Sequence, residues 1–476
     1  MTPATTTDSR SRNLILAAMI FAVSMTFIDQ TIISISVPHI QRELGLSATG
    51  GQWAVNAYLL ALAALFAFGG RLADTVGHRT MVTLGVIVFA GASALCGLTP
   101  AGGIAEAWLV SFRAGGYLIE WAWRAIFWVN IPVALIALAL IAASRPETAY
   151  RPARMDYRGL ALIVAGVGLS VFGFQQSSIW GWRNPVIAAC IAAGLVLLVT
   201  FYLVERRTGS PLVDVSIFGI RPFLVENLVL WLTLLAFVPV FFFAAQCAQI
   251  SLGQSPLKAS LILLCFSAGF VAAAQVGGRM LDRVGAKAPV VAGCVLAAAG
   301  LWLWAVKMTD LSLSAQAGYV IVAGAGMGLM LGPANTDAVN RASHLAYGEA
   351  TGITQTVRNY AASLGIAVLG TILVFQTRSQ VTSSLTALGV PSRQAAAQAA
   401  RIAQSQGGGP TVAAIPRFVR LDFAHASQTV FLVMAGIMAA AALIAFTGLQ
   451  GRQQGPGEPP VAPVSQAPRE EIRPRP

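Results

Sequence analysis

Gly70-Arg71-Leu72-Ala73-Asp74-Thr75-Val76-Gly77-His78-Arg79 and Gly278-Arg279-Met280-Leu281-Asp282-Arg283-Val284-Gly285-Ala286-Lys287 read as two copies of one stretch. Glycine, arginine, aspartate, valine and glycine recur in the same order, and Arg79 is answered by Lys287. Each copy is a short polar connection between two long apolar runs. A loop repeated at one register, between repeated hydrophobic hairpins, marks a membrane protein built from two related halves. The glycines permit tight turns and close helix approach. The aspartates can cap a helix N-terminus and pair with nearby arginine. Gly70, Arg71, Asp74, Gly77 and Arg79, with Gly278, Asp282, Gly285 and Lys287, are therefore expected to form a conformational latch. A plain loop cap is the simpler alternative, and the duplication favours the latch.

Composition agrees with the membrane reading. The 476 residues are 56% hydrophobic and 11% charged, whereas a soluble domain carries about 25% charged residues. The net charge of +12 invites a nucleic-acid reading. The basic residues, however, fall in the gaps between apolar runs, where the positive-inside rule expects them, so no nucleic-acid partner is expected. Cys96, Cys190, Cys247, Cys265 and Cys294 lie in or beside apolar runs without a CxxC pair, as small hydrophobes do. His39, His78, His344 and His425 are scattered, and no metal is expected. Arg10 and Arg12 precede an apolar run over Asn13–Ser36, too long for a signal h-region, which reads as an uncleaved first span.

A helix needs roughly 20 apolar residues to cross the hydrocarbon core. Twelve runs pass that test: 13–36, 50–70, 80–99, 125–144, 159–176, 184–204, 223–247, 259–277, 288–306, 315–333, 351–375 and 427–448. Starting inside with Arg10 and Arg12, the inner connections collect Arg71, Arg79, Arg145, Arg151, Arg154, Arg158, Arg206, Arg207, Arg221, Arg279, Arg283, Lys287, Arg341 and Arg358. Both termini and both signature loops are thereby placed in the cytoplasm, in a multi-pass protein of the cell (inner) membrane.

The expected organisation is an N-terminus at 1–12, an N-terminal helix bundle at 13–144, two linker spans with flanking cytoplasmic loops at 145–222, and a C-terminal bundle at 223–450. That last bundle includes an extracytoplasmic loop at 376–426, with a helical piece over Arg393–Ser405. A Pro-rich disordered cytoplasmic tail at 451–476 ends the chain. Residues 100–124 must cross an even number of times, yet two crossings need roughly 40 residues plus a turn. This stretch is expected to stay outside or to re-enter without completing them.

Asp29 lies sixteen residues past Asn13, about 24 Å along a helix. A carboxylate within a span costs roughly 2.5–3.5 kcal/mol on insertion scales, so Asp29 is expected to face a cavity or a partner and to take up a proton. An inert cap at the outer helix end is the alternative. Glu226 is either a cavity residue or an interfacial one near Arg221. Tyr58, Gln246 and Gln249, with Trp53, are candidates for lining a substrate cavity, against interfacial aromatics and loop polar groups as the plainer reading. The run Gly324–Gly332 supplies small residues for close helix packing; it lacks the lysine of a phosphate loop. No catalytic constellation is present, so an enzyme is not expected.

These residues carry a resemblance. The chain resembles the major facilitator superfamily and, within it, the fourteen-span drug:proton antiporters of EmrB/QacA type. Asp29-Gln30-Thr31-Ile32-Ile33 through Pro38 looks like the first-span motif of that branch, and Trp53 with Asn56-Ala57-Tyr58 like its second-span entry. Gly70–Arg79 looks like the superfamily's signature loop. Trp123-Arg124-Ala125-Ile126-Phe127 through Asn130 and Pro132, and Pro211-Leu212-Val213-Asp214, look like further signatures. The branch has fourteen spans, whereas twelve are counted here. Trp108-Leu109-Val110-Ser111-Phe112-Arg113 looks like the start of the fourth span and Gly115-Gly116-Tyr117-Leu118 like the end of the fifth, with the residues between them lacking.

The resemblance implies an all-α polytopic protein of two pseudo-symmetric bundles. It also implies export of small lipophilic or cationic compounds against an inward proton flow, with no cofactor beyond the proton gradient. Asp29 and Arg113 would couple the proton. The partners expected are a small-molecule substrate and the lipid bilayer, with the chain acting as a monomer. Two other readings stay open: a degenerate transporter inactive for lack of the fifth-span antiporter motif, and a non-coupled facilitator or channel.

Overall fold

The computed structural model describes residues 47–97, 125–144, 156–209, 211–341, 347–404 and 416–449, with Leu14, Ala17, Val37 and Gln41 besides. Asp29 and Arg113 lie outside the described residues. Twelve α-helices account for nearly all of what is described: α1 (Ala48–Val76), α2 (His78–Gly97), α3 (Ala125–Ser144), α4 (Tyr157–Trp180), α5 (Pro185–Glu205), α6 (Arg221–Ile250), α7 (Pro256–Val284), α8 (Lys287–Lys307), α9 (Leu313–Arg341), α10 (Tyr347–Ala387), α11 (Ser392–Gln404) and α12 (Arg417–Gly448). Ten of the described helices are long and apolar enough to cross a membrane. Among the described residues the chain is an all-α, multi-pass membrane protein.

Local chemistry sets the helix ends. Ser47, Asp156, Asn184 and Ser255 each accept a backbone N–H of the first turn that follows, filling donors that a helix start leaves unmet. Proline opens α5 and α7 at a position where its missing N–H is no loss.

The repeated stretch is folded alike in both copies. α1 ends at Val76, and Gly77 closes it with φ 98° and an N–H to Ala73 O at 2.9 Å. α7 ends at Val284, and Gly285 closes it with φ 81° and an N–H to Leu281 O at 3.1 Å. The two stretches are helix ends rather than loops. Asp74 and Asp282 lie in the closing turns of α1 and α7, so neither is a helix N-cap, as the sequence suggested. The non-helical connections are Gly77 alone in one copy and Gly285-Ala286 in the other.

Helix register shows which ends share a face. Glycines Gly269 and Gly277 of α7 lie against Ile321 O and Leu329 O of α9, while Gly324 and Gly328 of α9 lie against Phe266 O and Phe270 O of α7. The numbers rise together, so α7 and α9 are parallel and their C-terminal ends lie side by side. α10 starts where α9 ends. It runs antiparallel to α1: Val374 packs near Ala48, and Gly352 lies by Phe66 O. The Gly77 and Gly285 turns therefore occupy the same face of the molecule. That face also gathers Arg71, Arg79, Arg158, Arg206, Arg207, Arg221, Arg279, Arg283, Lys287 and Arg341, from the ends of the helices that reach it.

The main core joins α6, α7, α8, α9 and α12, with Leu59 of α1 and Ile366 of α10, around Phe237, Phe242, Phe266, Trp304 and Phe431. A second cluster packs α1 and α4 around Leu212, Val213, Ile217 and Phe223. α2 packs mainly on α3, through Val86, Ala134 and Ala137. Leu84, Ile87, Val88, Leu195, Val196 and Val199 are exposed along α2 and α5, which suits faces turned to lipid, where apolar side chains carry no cost.

Three expectations need correction. Residues 376–387 are not loop: α10 runs unbroken to Ala387, a 41-residue helix of about 61 Å, twice the hydrocarbon thickness. α12 likewise starts at Arg417, so the connection 376–426 is mostly helix, with α11 folded back through Ala395 and Ala399 onto Val381 and Leu385 of α10. Arg358 does not belong to an inner connection; it lies inside α10, eleven residues past the helix start.

Candidate functional site

The two halves meet where α1 packs along α10, and α4 fills the groove beside both. That three-helix junction holds a ladder of polar contacts in an apolar setting. Asn56 of α1 donates through Nδ2 to Gln175 Oε1 of α4, and Ser363 Oγ of α10 donates to Asn56 Oδ1. Asn56, Gln175 and Ser363 are all 0% exposed. Thr49 and Ser178 hydroxyls lie 3.2 Å apart, Ser170 Oγ and Tyr360 OH 3.1 Å, and Ser177 and Thr371 3.4 Å. Thr371 Oγ1 also donates to Phe174 O at 3.1 Å, and Ala67 N–H to Thr356 Oγ1 at 3.2 Å. Among the described residues Gln175 Nε2 and Gln52 Oε1 are buried in this seam without a hydrogen-bond partner. Buried amides with unused capacity are costly in a static core.

The residues singled out from the sequence divide by position. Trp53 packs on α4, its ring centroid 6.0 Å from that of Phe172. Tyr58 packs from α1 against the core of the C-terminal helices. Gln246 and Gln249 are each 2% exposed in the last turns of α6. Glu226 is 0% exposed in the second turn of the same helix. Twenty residues separate Glu226 from Gln246, about 30 Å of helix, so these two are at opposite ends of α6 and do not line one small cavity.

The two copies of the repeat have different partners. Arg71 approaches Glu205 at the end of α5, with Asp156 close by. Glu205 is 2% exposed and accepts Val213 N–H at 3.5 Å. It presses on the Cα of Gly159, where a Cβ would collide with Oε1. The pair α4–α5 and the Pro211–Asp214 segment are thus docked on the end of α1. In the second copy, Lys287 Nζ lies 5.4 Å from the centre of the Phe446 ring of α12.

Sequence reasoning missed Gln175, Ser170 and Ser177 of α4, as well as Glu205, Asp337 and Arg358. Some signals were there. The run Gln175-Gln176-Ser177-Ser178 is polar where a lipid-facing helix would not be. Asp337 and Arg341 are spaced i, i+4 and bond at 2.6 Å. Arg358 falls within the 351–375 span and donates to Asn335 Oδ1 at 3.1 Å.

The chain is similar to exporters. It is 28% identical to the tetracenomycin C resistance and export protein of Streptomyces glaucescens, over 75% of each chain. It is 30% identical to the puromycin resistance protein pur8 of Streptomyces alboniger, over 75% of this chain and 80% of that one. To the multidrug efflux pump LfrA of Mycolicibacterium smegmatis it is 26% identical, over 94% and 98%. The sequence profile of the Major Facilitator Superfamily matches residues 19–114 and 151–366. With two helix ends of one design on one face, and a polar junction between the halves they terminate, this chain belongs to the Major Facilitator Superfamily.

Proposed function

We propose that this chain is a secondary active transporter that exports small lipophilic or cationic compounds, drugs and antibiotics among them, by proton antiport. The observation that carries the proposal is the buried polar seam where α1, α4 and α10 meet. Transporters of this build alternate access by rocking two repeats about a midplane site, and polar groups inside a membrane mark such pathways. The relatives named as resistance and efflux proteins support the substrate class. The basic face bearing both Gly turns is assigned to the cytoplasm of a cell-membrane protein, by the positive-inside rule. Asp29 is assigned the coupling proton and Arg113 a supporting charge.

The test is ethidium uptake into inverted vesicles carrying the chain. Uptake is expected to follow an imposed pH gradient, to collapse with nigericin, and to be lost in Asp29→Asn. Full gradient-driven uptake by Asp29→Asn would overturn the assignment of Asp29. Uptake that ignores the gradient would favour a facilitator.

A second reading, an inactive transporter, has its own support. The alignment with the tetracenomycin exporter runs over 411 positions but covers 75% of this chain. Since 75% of 476 is about 357, some fifty positions of the relative face no residue here. The alignment with LfrA, 500 positions against 94% of the chain, shows a similar shortfall. Fifty residues suit two crossings and a turn. Restoring the equivalent segment of LfrA between Arg113 and Gly115, and comparing ethidium uptake with and without it, separates an active chain from a degenerate one.

A further inference from the structure

Glu226 and Asp337 meet across α6 and α9, near the face that carries the two Gly turns. Neither carboxyl oxygen of Glu226 has a hydrogen-bond donor, and the side chain has no exposure. The Asp337 carboxyl is within hydrogen-bonding reach of it. Arg341 donates through Nε to Asp337 Oδ2 at 2.6 Å, so the guanidinium is already engaged. The side chains of that pair are only 13% (Asp337) and 8% (Arg341) exposed. Two carboxyls thus face one cation. With both ionised, the group would hold an uncompensated negative charge out of water, which is strongly unfavourable. One proton balances it.

Among the described residues Arg341 is the cation that acts on Glu226, and Arg221, at the start of the same helix, is exposed. α8 presents the Cys294 thiol, which donates to Met330 Sδ at 3.5 Å. α12 meets this end of α6 through Gly448 on Val225 and has no titratable residue after His425. α10 brings Arg358, engaged by Asn335. α7 meets α6 through the Phe266 and Phe270 rings, and the turn Val215–Gly219 through Phe218.

We propose that Glu226 and Asp337 together hold one exchangeable proton, making a second proton-binding site in the C-terminal half, separate from Asp29. In the closed arrangement the Glu226 O–H donates to the Asp337 carboxylate. When α6 and α9 part toward the cytoplasm, that O–H bond breaks and the proton passes to water. The pair is left with one net negative charge beside Arg341 until a proton returns. The site's part in transport rests on the antiport reading above; the proton itself does not.

The test is pH-difference infrared spectroscopy on the full chain in lipid bilayers, with ethidium uptake measured in parallel. The wild type is expected to show the carbonyl stretch of a protonated carboxyl that Glu226→Gln removes and Asp310→Asn, at an exposed ion pair with Lys307, leaves intact. Should Glu226→Gln fail to insert, Asp337→Asn serves instead. It removes the partner that shares the proton, so the Glu226 band is expected to titrate at a different pH. A band that survives Glu226→Gln overturns the site. So does an Asp337→Asn spectrum that titrates as the wild type does, or a band that sodium displaces at constant pH. An ethidium-inactive wild type that still loses the band in Glu226→Gln would sink the export reading and leave the proton site standing.

Discussion

Gly77 and Gly285 close their helices in a conformation that favours glycine. Their φ values of 98° and 81° lie where a side chain costs about 1–3 kcal/mol. Gly77→Ala and Gly285→Ala are each expected to destabilise the protein by about that amount, read as a lower midpoint in thermal melts of the detergent-purified chain. Gly85→Ala is the control: it is helical, and a Cβ there meets nothing within 4 Å. An unchanged midpoint in both turn variants would remove the structural ground for treating the repeats as equivalent. The Asn56 cluster makes a second residue-scale demand. Gln175→Leu strips the acceptor from a fully buried amide, which costs about 1–3 kcal/mol. Asn56→Leu/Gln175→Leu is expected to cost less than the sum of the single changes, because the second removes the group orphaned by the first. Additive losses would mean that the two side chains do not interact.

Among the elements, α9 is held closely on two sides. Gly324 and Gly328 place its backbone against α7, while Gly326 places it against Ala297 of α8. A stripe of small residues lets membrane helices approach backbone to backbone. Gly328→Leu must drive α7 away, and is expected to abolish the monodisperse peak in fluorescence-detected size exclusion. Gly318→Leu, on an open face, is expected to keep it. This packing was legible because the signal is confined to nine consecutive residues, GAGMGLMLG. The ten described spans were legible for a similar reason: length and apolarity are properties of a segment alone. The role of α4 was not. Gln175 finds Asn56 119 positions away and Ser170 finds Tyr360 190 away, and no spacing within either helix announces a partner so distant. Arg358 and the continuation of α10 were lost differently. An arginine near a span end reads as a loop charge, and twelve further residues of polar helix resemble a connection until α11 is seen packed on them.

Across the whole molecule, the two helix ends share one face. Register alone leads there: α7 parallel to α9, α9 followed by α10, α10 antiparallel to α1. Valine precedes the closing glycine in both copies, and Val76 and Val284 are 48% and 50% exposed, so each can carry a reporter without disturbing the core. In a background with all five cysteines replaced, Val76→Cys and Val284→Cys are expected to resist a membrane-impermeant maleimide in intact cells. Both should react in inverted vesicles. Labelling of both from outside would keep the common face but reverse the orientation drawn from the basic residues, and with it the direction of proton flow assigned to export. Labelling of one from each side would break the register chain itself. The halves could not then be related as packed here, and the polar seam between α1, α4 and α10 would lose its meaning as the place where they move.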